Sequence, residues 1–359
     1  MENKGLLFIP DISGFSKFVN EVEIQHSQFI IQQLLELLIN ANDSGLEISE
    51  IEGDAILFYK FGQPADLDSL YKQVEKMFRS FHQYLISYDN RKICQCKACI
   101  SAVDLTLKVI THYGEFTPLS VQQFNKLIGK DVIVAHQLLK NDIAQHEYWL
   151  VTDNLLQDKK PAHLTDWMEW GDRVQQTETG QIPYHFTQLG ELKSRIEPEP
   201  PPQLELSKKI KVISVSREYD FGVKHLFYTA LHFEFRHLWQ EGVKGIDQVD
   251  HLIPGIGTKH RCILEKGFVI MYSSTFSYNP DEKIEYSETD EKKRSAVYFT
   301  LDKINDNRSR LTIDVYVRKN FLLQTMFSLM MKKKMERSLN RSLEKLVGVL
   351  KEIKPAVEF

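Results

Sequence analysis

Two rhythms of apolar residues alternate along the first half of the chain. Residues 5–9 form a short continuous apolar run, the pattern of a buried strand. Over 24–41, apolar residues fall at 30, 31, 34, 35, 38 and 39, which is a helical period. Residues 46–52 alternate apolar and polar, 55–61 are apolar and aromatic, and Gly53-Asp54 between them predicts a hairpin. A second amphipathic helix is predicted over 67–86, a strand over 105–112, a helix over 130–139 and a strand over 148–152. The order β-α-β-β-α-β predicts a ferredoxin-like α/β sandwich.

The second half has a different pattern. A strand at 211–216 is followed by helical segments around 222–238. Strands are then predicted at 259–265, 267–276, 283–289, 294–304 and 309–318, and a long helix at 320–353 closes the chain. A curved antiparallel sheet gripping a C-terminal helix makes the whole an α+β protein. Between the halves, residues 197–202 read Glu-Pro-Glu-Pro-Pro-Pro, which neither continues a helix nor pairs centrally in a sheet. The predicted organisation is therefore a first domain at 1–195, a stiff linker at 196–207 and a second domain at 208–359.

Composition narrows the functional classes. The 359 residues carry 45 basic and 49 acidic side chains, for a net charge of −4. That balance argues against a nucleic-acid binder, which needs a clustered positive surface. Basic charge does gather near the C-terminus, where 318–354 hold ten Lys/Arg and three Glu. A helix there whose lysines face water is favoured over one that contacts an anionic membrane. Four cysteines, three of them crowded as Cys94, Cys96 and Cys99, are no secreted disulfide framework and point to a reducing cytoplasm. Neither a signal peptide nor an apolar run of about 18 residues is readable.

Candidate chemistry falls mostly in the first half. Asp11 follows the first strand and Asp54 sits at the hairpin tip. If strands one and two are neighbours, both carboxylates emerge at one sheet edge, and two carboxylates with a backbone carbonyl can hold Mg²⁺ or Mn²⁺. The competing reading is a helix cap at Asp11 and a tight Gly-Asp turn at Asp54. Cys94, Cys96 and Cys99 could hold Zn²⁺ with a fourth ligand such as His82 or His112; alternatively they are reduced thiols in a loop, and His112 is an ordinary strand histidine. In the second half, aromatics including Trp239, Phe268, Tyr272 and Phe327 either line an apolar cavity or fill the core.

Five segments carry a family resemblance in order. Phe8-Ile9-Pro10-Asp11-Ile12-Ser13-Gly14-Phe15-Ser16 and Glu50-Ile51-Glu52-Gly53-Asp54-Ala55 resemble the two metal motifs of class III nucleotidyl cyclases. Lys108 to Glu115, Leu127 to Ala135 and Phe186 to Lys193 resemble the strand and turn, the loop into the catalytic helix, and the closing strand. The resemblance implies that Asp11 and Asp54, with the Ile12 carbonyl, ligate metal. It implies that Glu50 and Lys126 stand at the base-selecting positions, Glu50 being guanylate-like and Lys126 fitting neither usual pattern. The positions of the transition-state asparagine and arginine hold Ile133 and Gln137, and loss of such electrostatic contacts costs on the order of 10² to 10³ in rate each. Asn125, Lys126, Lys130, His136 and Asn141 are the side chains nearby in sequence that could stand in.

Further on, Trp239 with Gly242-Val243, then Gly255-Ile256-Gly257, resembles the START-like (polyketide cyclase/lipid transport) superfamily. That resemblance implies a cavity for a hydrophobic small molecule or lipid. The resulting expectation is a homodimeric, degenerate cyclase-homology module that retains a nucleoside triphosphate site and is coupled to a ligand-binding domain. The alternative is an active class III cyclase, converting NTP to cyclic NMP and pyrophosphate.

Overall fold

A computed structural model describes residues 3–21, 24–157, 159–177, 180–197, 208–249, 255–319 and 332–354. The chain forms two compact units, Met1–Asp89 with Lys97–Glu199, and Asn90–Cys96 with Pro200–Phe359. Most of the Pro-rich stretch, residues 320–331 of the expected long helix, and Phe327 lie outside the described residues.

The first unit contains β1 (Lys4–Ser13), α1 (Phe15–Glu21), α2 (Ile24–Asn40), β2 (Glu47–Glu52), β3 (Ala55–Phe61), α3 (Leu67–Arg91) and α4 (Lys97–Ser101). It continues through β4 (Thr106–Glu115), β5 (Thr117–Val121), β6 (Phe124–Ile128), α5 (Lys130–Leu138), β7 (Tyr148–Thr152), α6 (Asp153–Leu156), β8 (Gly171–Thr177), β9 (Gly180–Gln188) and α7 (Gly190–Ser194). The main sheet runs β2-β3-β1-β4-β7-β9-β8, with β5 and β6 as a separate hairpin. The order β2-β3-β1-β4, with β1 antiparallel to both neighbours, is the ferredoxin-like arrangement the periodicity predicts.

Strand β1 extends past Pro10, further than the apolar run suggested. Pro10 pairs with Val109 on β4, while recorded pairs to β3 pass from Phe8–Phe58 to Asp11–Ala55. Proline has no N–H to give the ladder, and here only one of its two neighbours is recorded as paired. Alternation places Leu7, Ile9, Ala55 and Leu57 in a core with Val132, Val134, Ala135 and Leu138 of α5. Asp11 shares that parity, so it faces the α5 side of the sheet.

The second unit contains β10 (Lys209–Tyr219), α8 (Val223–Leu231), α9 (Phe233–Trp239), β11 (Val243–Gln248), β12 (Lys259–Leu264), β13 (Phe268–Asn279), β14 (Lys283–Asp290), β15 (Ser295–Asn305), β16 (Arg308–Arg318) and α10 (Lys332–Glu352). Its antiparallel sheet runs β10-β16-β15-β14-β13-β12-β11 and does not close into a barrel. Leu343, Leu346, Val349 and Leu350 of α10 are buried in one core with Ile213, Tyr286, Phe299 and Ile313 of the sheet. The helix-grip expectation therefore holds over the described part of the helix. Residues 90–96 belong to this unit: Ile93 enters its core, Lys92 bridges Gly255, and Ile256 N–H donates to the Arg91 carbonyl at 2.7 Å. Strand β11, which periodicity missed, is short and polar and carries a bulge between Val243 and Gly245.

Candidate functional site

The β2–β3 hairpin and β1 deliver two carboxylates to one place. Gly53 adopts a φ of 61°, the left-handed conformation a tight turn needs. The turn is tied down where Ile12 N–H donates to the Asp54 carbonyl at 3.0 Å. Asp11, at 8% exposure, and Asp54 line an open cleft of about 780 Å³ with Ile12, Lys108, Ile133, His136, Gln137, Lys140 and His146. Burial, and then the neighbouring Asp11 charge, pushes the Asp54 carboxyl up to about 6. Burial also raises Asp11, against the opposing pull of Lys108.

Lys108 carries the cationic counterpart that the sequence did not single out. It faces Asp11 directly across the β1–β4 ladder, and its Nζ lies 3.3 Å from Asp11 Oδ1 while donating to the Leu139 carbonyl at 3.1 Å. Two adjacent carboxylates whose charged forms are penalised are a fitting donor set for a hard divalent cation, which would displace the Lys108 ammonium from Asp11. A larger cleft of about 950 Å³ shares Ser13, Gly14 and His146 and is lined further by Trp167 and Trp170, but Asp11 and Asp54 are not among its lining residues.

Glu50 and Lys126, which the resemblance places at base-selecting positions, meet each other. Lys126 Nζ lies 2.6 Å from Glu50 Oε2, and His136 Nε2 lies 3.8 Å from Glu50 Oε1. Each thus satisfies the other within one chain. On α5, Ile133 is 53% exposed, an aliphatic side chain presented to the cleft, and Gln137 has its side-chain carbonyl buried without a partner. Asp131, at the start of the same helix, accepts from the Glu115 N–H at 2.6 Å and lies 3.0 Å from His112 Nε2. Burial alone would raise its pKa, but those hydrogen bonds outweigh it and hold the carboxyl low. Gly114 permits this approach, since a Cβ there would lie 2.2 Å from Asp131 Cγ.

His112 is accordingly a structural strand histidine, its other nitrogen 2.9 Å from Thr152 Oγ1. His82 is buried in α3, where burial and the Lys193 charge lower its pKa to about 3. Neither joins the cysteines. Among the described residues, the cysteine-containing group that could hold a metal is His26 with Cys94, Cys96 and Cys99, whose ligand atoms all lie within 4.8 Å of one another. Three thiols and one imidazole are a tetrahedral zinc-type set. Sequence spacing does not single out His26, which is distant in sequence from the cysteines and lies in a helix whose pattern reads as core-facing.

In the second unit, Trp239 is fully buried. Phe268 and Tyr272 share a parity opposite to Met271 and Ser273, which pair with Asp290 and Glu288. They therefore lie on the sheet face away from Tyr286, with Arg261 over Phe268 and Lys259 over Tyr272.

Residues 31–148 match a family described as a protein of unknown function, DUF2652. An uncharacterized protein of Mycobacterium tuberculosis, Rv2561/Rv2562, is 33% identical over 127 residues, covering 35% of this chain and 58% of that protein. Similar solved structures include the guanylate cyclase domain of RhGC from Catenaria anguillulae in complex with GTP, 12% identical, covering 52% of this chain and 96% of that one at a TM-score of 0.36. The adenylyl cyclase CyaB from P. aeruginosa is 16% identical, covering 51% and 93%, at a TM-score of 0.35. No helix among the described residues is long and apolar enough to cross a membrane.

Proposed function

We propose that the first unit is a class III cyclase-homology module that binds a nucleoside triphosphate with Mg²⁺ or Mn²⁺ and does not cyclise it, joined to a START-like unit that binds a hydrophobic molecule. The observation that carries this reading is the convergence of Asp11 and Asp54 with Ile133 and Gln137 around one cleft. The carboxylates and the Ile12 carbonyl would hold the metal, whose chemistry is to neutralise the triphosphate oxygens. Glu50 and Lys126 would meet the base. Ile133 and Gln137 would leave the ribose unoriented and the α-phosphate charge unopposed.

Pairing of two copies through this unit is part of the proposal. Ile48 and Ile51 on the edge strand β2, Leu119 and Val121 on β5, Ile128 on β6 and Ile133 in the cleft are all exposed apolar side chains. The His26–Cys94–Cys96–Cys99 group is proposed as a structural Zn²⁺ site.

One observation favours the active-cyclase reading: Lys108, Lys140 and His146 also line the cleft and could supply positive charge to a phosphate. The deciding experiment incubates the full chain with Mn²⁺ or Mg²⁺ and each of four NTPs. Metal-dependent binding without cyclic product supports the degenerate module. Cyclic product that disappears in Asp54→Ala overturns it.

A further inference from the structure

The core of the second unit holds an arginine that its own ion pair does not use up. Arg236 on α9 has no exposed surface. Its Nη1 donates to Glu288 Oε1 at 2.7 Å. The same oxygen accepts from the Tyr286 hydroxyl at 2.8 Å, and His260 Nε2 stands 3.2 Å from it. Phe299, Phe233 and Tyr286 surround the guanidinium, with centroids 4.8, 5.5 and 5.8 Å from Cζ. These rings and Glu288 hold the group in one orientation.

The remaining edge of that guanidinium is what points to a ligand. Nε and Nη2 are both buried without a hydrogen-bond partner. Together they form the side-on fork whose two parallel N–H bonds match the two oxygens of a carboxylate. Trp239, three residues further along the same helix, has its indole N–H buried and unpartnered, and so does Nδ1 of His260. Arginine and tryptophan can only donate. Burying such donors is costly unless something accepts from them. A core arginine selected only for packing would be better replaced by an apolar residue.

The sheet face that carries Glu288 becomes more apolar and more exposed with distance from the pair. Register places His260 opposite Met271 and Cys262 opposite Val269, on the same side of the sheet as Ser273 and Glu288. Among the described residues Met271 and Cys262 are half-buried, and Val269 is 40% exposed. Because Glu288 already neutralises Arg236, an entering monoanion brings less uncompensated charge than a phosphate dianion.

Resting on the reading of this unit as a hydrophobic-ligand domain, we propose that it binds an amphipathic carboxylic acid. The acid's oxygens take the Nε–H and Nη2–H of Arg236, and its tail runs along Met271, Cys262 and Val269. The test titrates the full chain with oleate and with methyl oleate below their aggregation range, following tryptophan fluorescence, alongside an Arg236→Lys variant checked by circular dichroism. The proposal expects oleate to bind at least tenfold tighter than the ester. It also expects Arg236→Lys, which keeps the charge and loses the fork, to remove that preference. Equal binding of acid and ester overturns the carboxylate inference while leaving the hydrophobic-ligand reading in place. Binding of neither overturns both. If Arg236→Lys does not fold, the acid-to-ester ratio of the unmodified protein decides alone.

Discussion

The two units treat buried charge in opposite ways. In the first, Asp11 and Asp54 stand at the mouth of an open cleft, and Lys108 is the cation at Asp11. In the second, Arg236 and Glu288 are buried in the core, paired with each other and packed among rings. The Asp54 carboxylate is penalised by burial and then by the Asp11 charge, and a cation from solution would relieve it. The core pair is compensated internally, and only the unused edge of Arg236 asks for a partner. The open carboxylate pair is therefore proposed as a metal site, and the buried ion pair, with its unused donor edge, as a specificity device.

The comparison breaks most readily at the core pair. Glu288→Gln leaves Arg236 charged and buried without its counter-ion, and loss of one partner of such a pair costs about 3–5 kcal/mol. A guanidinium chloride titration should show that loss in the second unit's transition. An unchanged midpoint would mean that Arg236 is hydrated rather than sealed. The cleft should behave differently: Asp54→Ala removes a carboxylate whose charged form is penalised, so stability should hold or rise. Metal-dependent nucleotide binding, followed by equilibrium dialysis, should weaken on the order of a hundredfold, about 2.7 kcal/mol.

Zinc is tested separately. Elemental analysis of the full chain should give one Zn²⁺ per chain, lost in Cys96→Ser; a metal-free protein of full stability would remove that site. At neutral pH the smallest expected effect concerns His82, whose folded pKa of about 3 lies below its unfolded value, so that its influence appears only on acidification. The unfolded chain then binds the extra proton between about pH 6.5 and 3, so stability is full above that window and falls as pH drops through it. The slope for one such group is about 1.4 kcal/mol per pH unit. A His82→Gln variant should flatten the melting temperature across that window relative to the unmodified protein.

Much of the cleft was legible because local signals agreed. A strand, a helix and a Gly-Asp hairpin put Asp11 and Asp54 at one edge before any packing was known. Lys108 was not legible, since a lysine in an alternating strand reads as solvent-facing, and only the β1–β4 register aligns it with Asp11. Arg236 escaped for a related reason. In a short helix rich in aromatics it reads as the polar face, yet Glu288, 52 residues later, draws it inward. Aromatic character and the START-like resemblance make Phe268 and Tyr272 candidate cavity residues, but neither reveals parity. The bulge between Ser273 and Thr275 also shifts the alternation along β13.

The central claim is that the Asp11–Asp54 cleft binds a metal nucleotide without turning it over. Its most direct test restores the two missing side chains, Ile133→Asn with Gln137→Arg, and measures cyclic product from Mn²⁺-GTP and Mn²⁺-ATP beside the unmodified chain. The account predicts no product from the unmodified protein and product from the double variant that again disappears with Asp54→Ala. Cyclic product from the unmodified chain, abolished by Asp54→Ala, would contradict it.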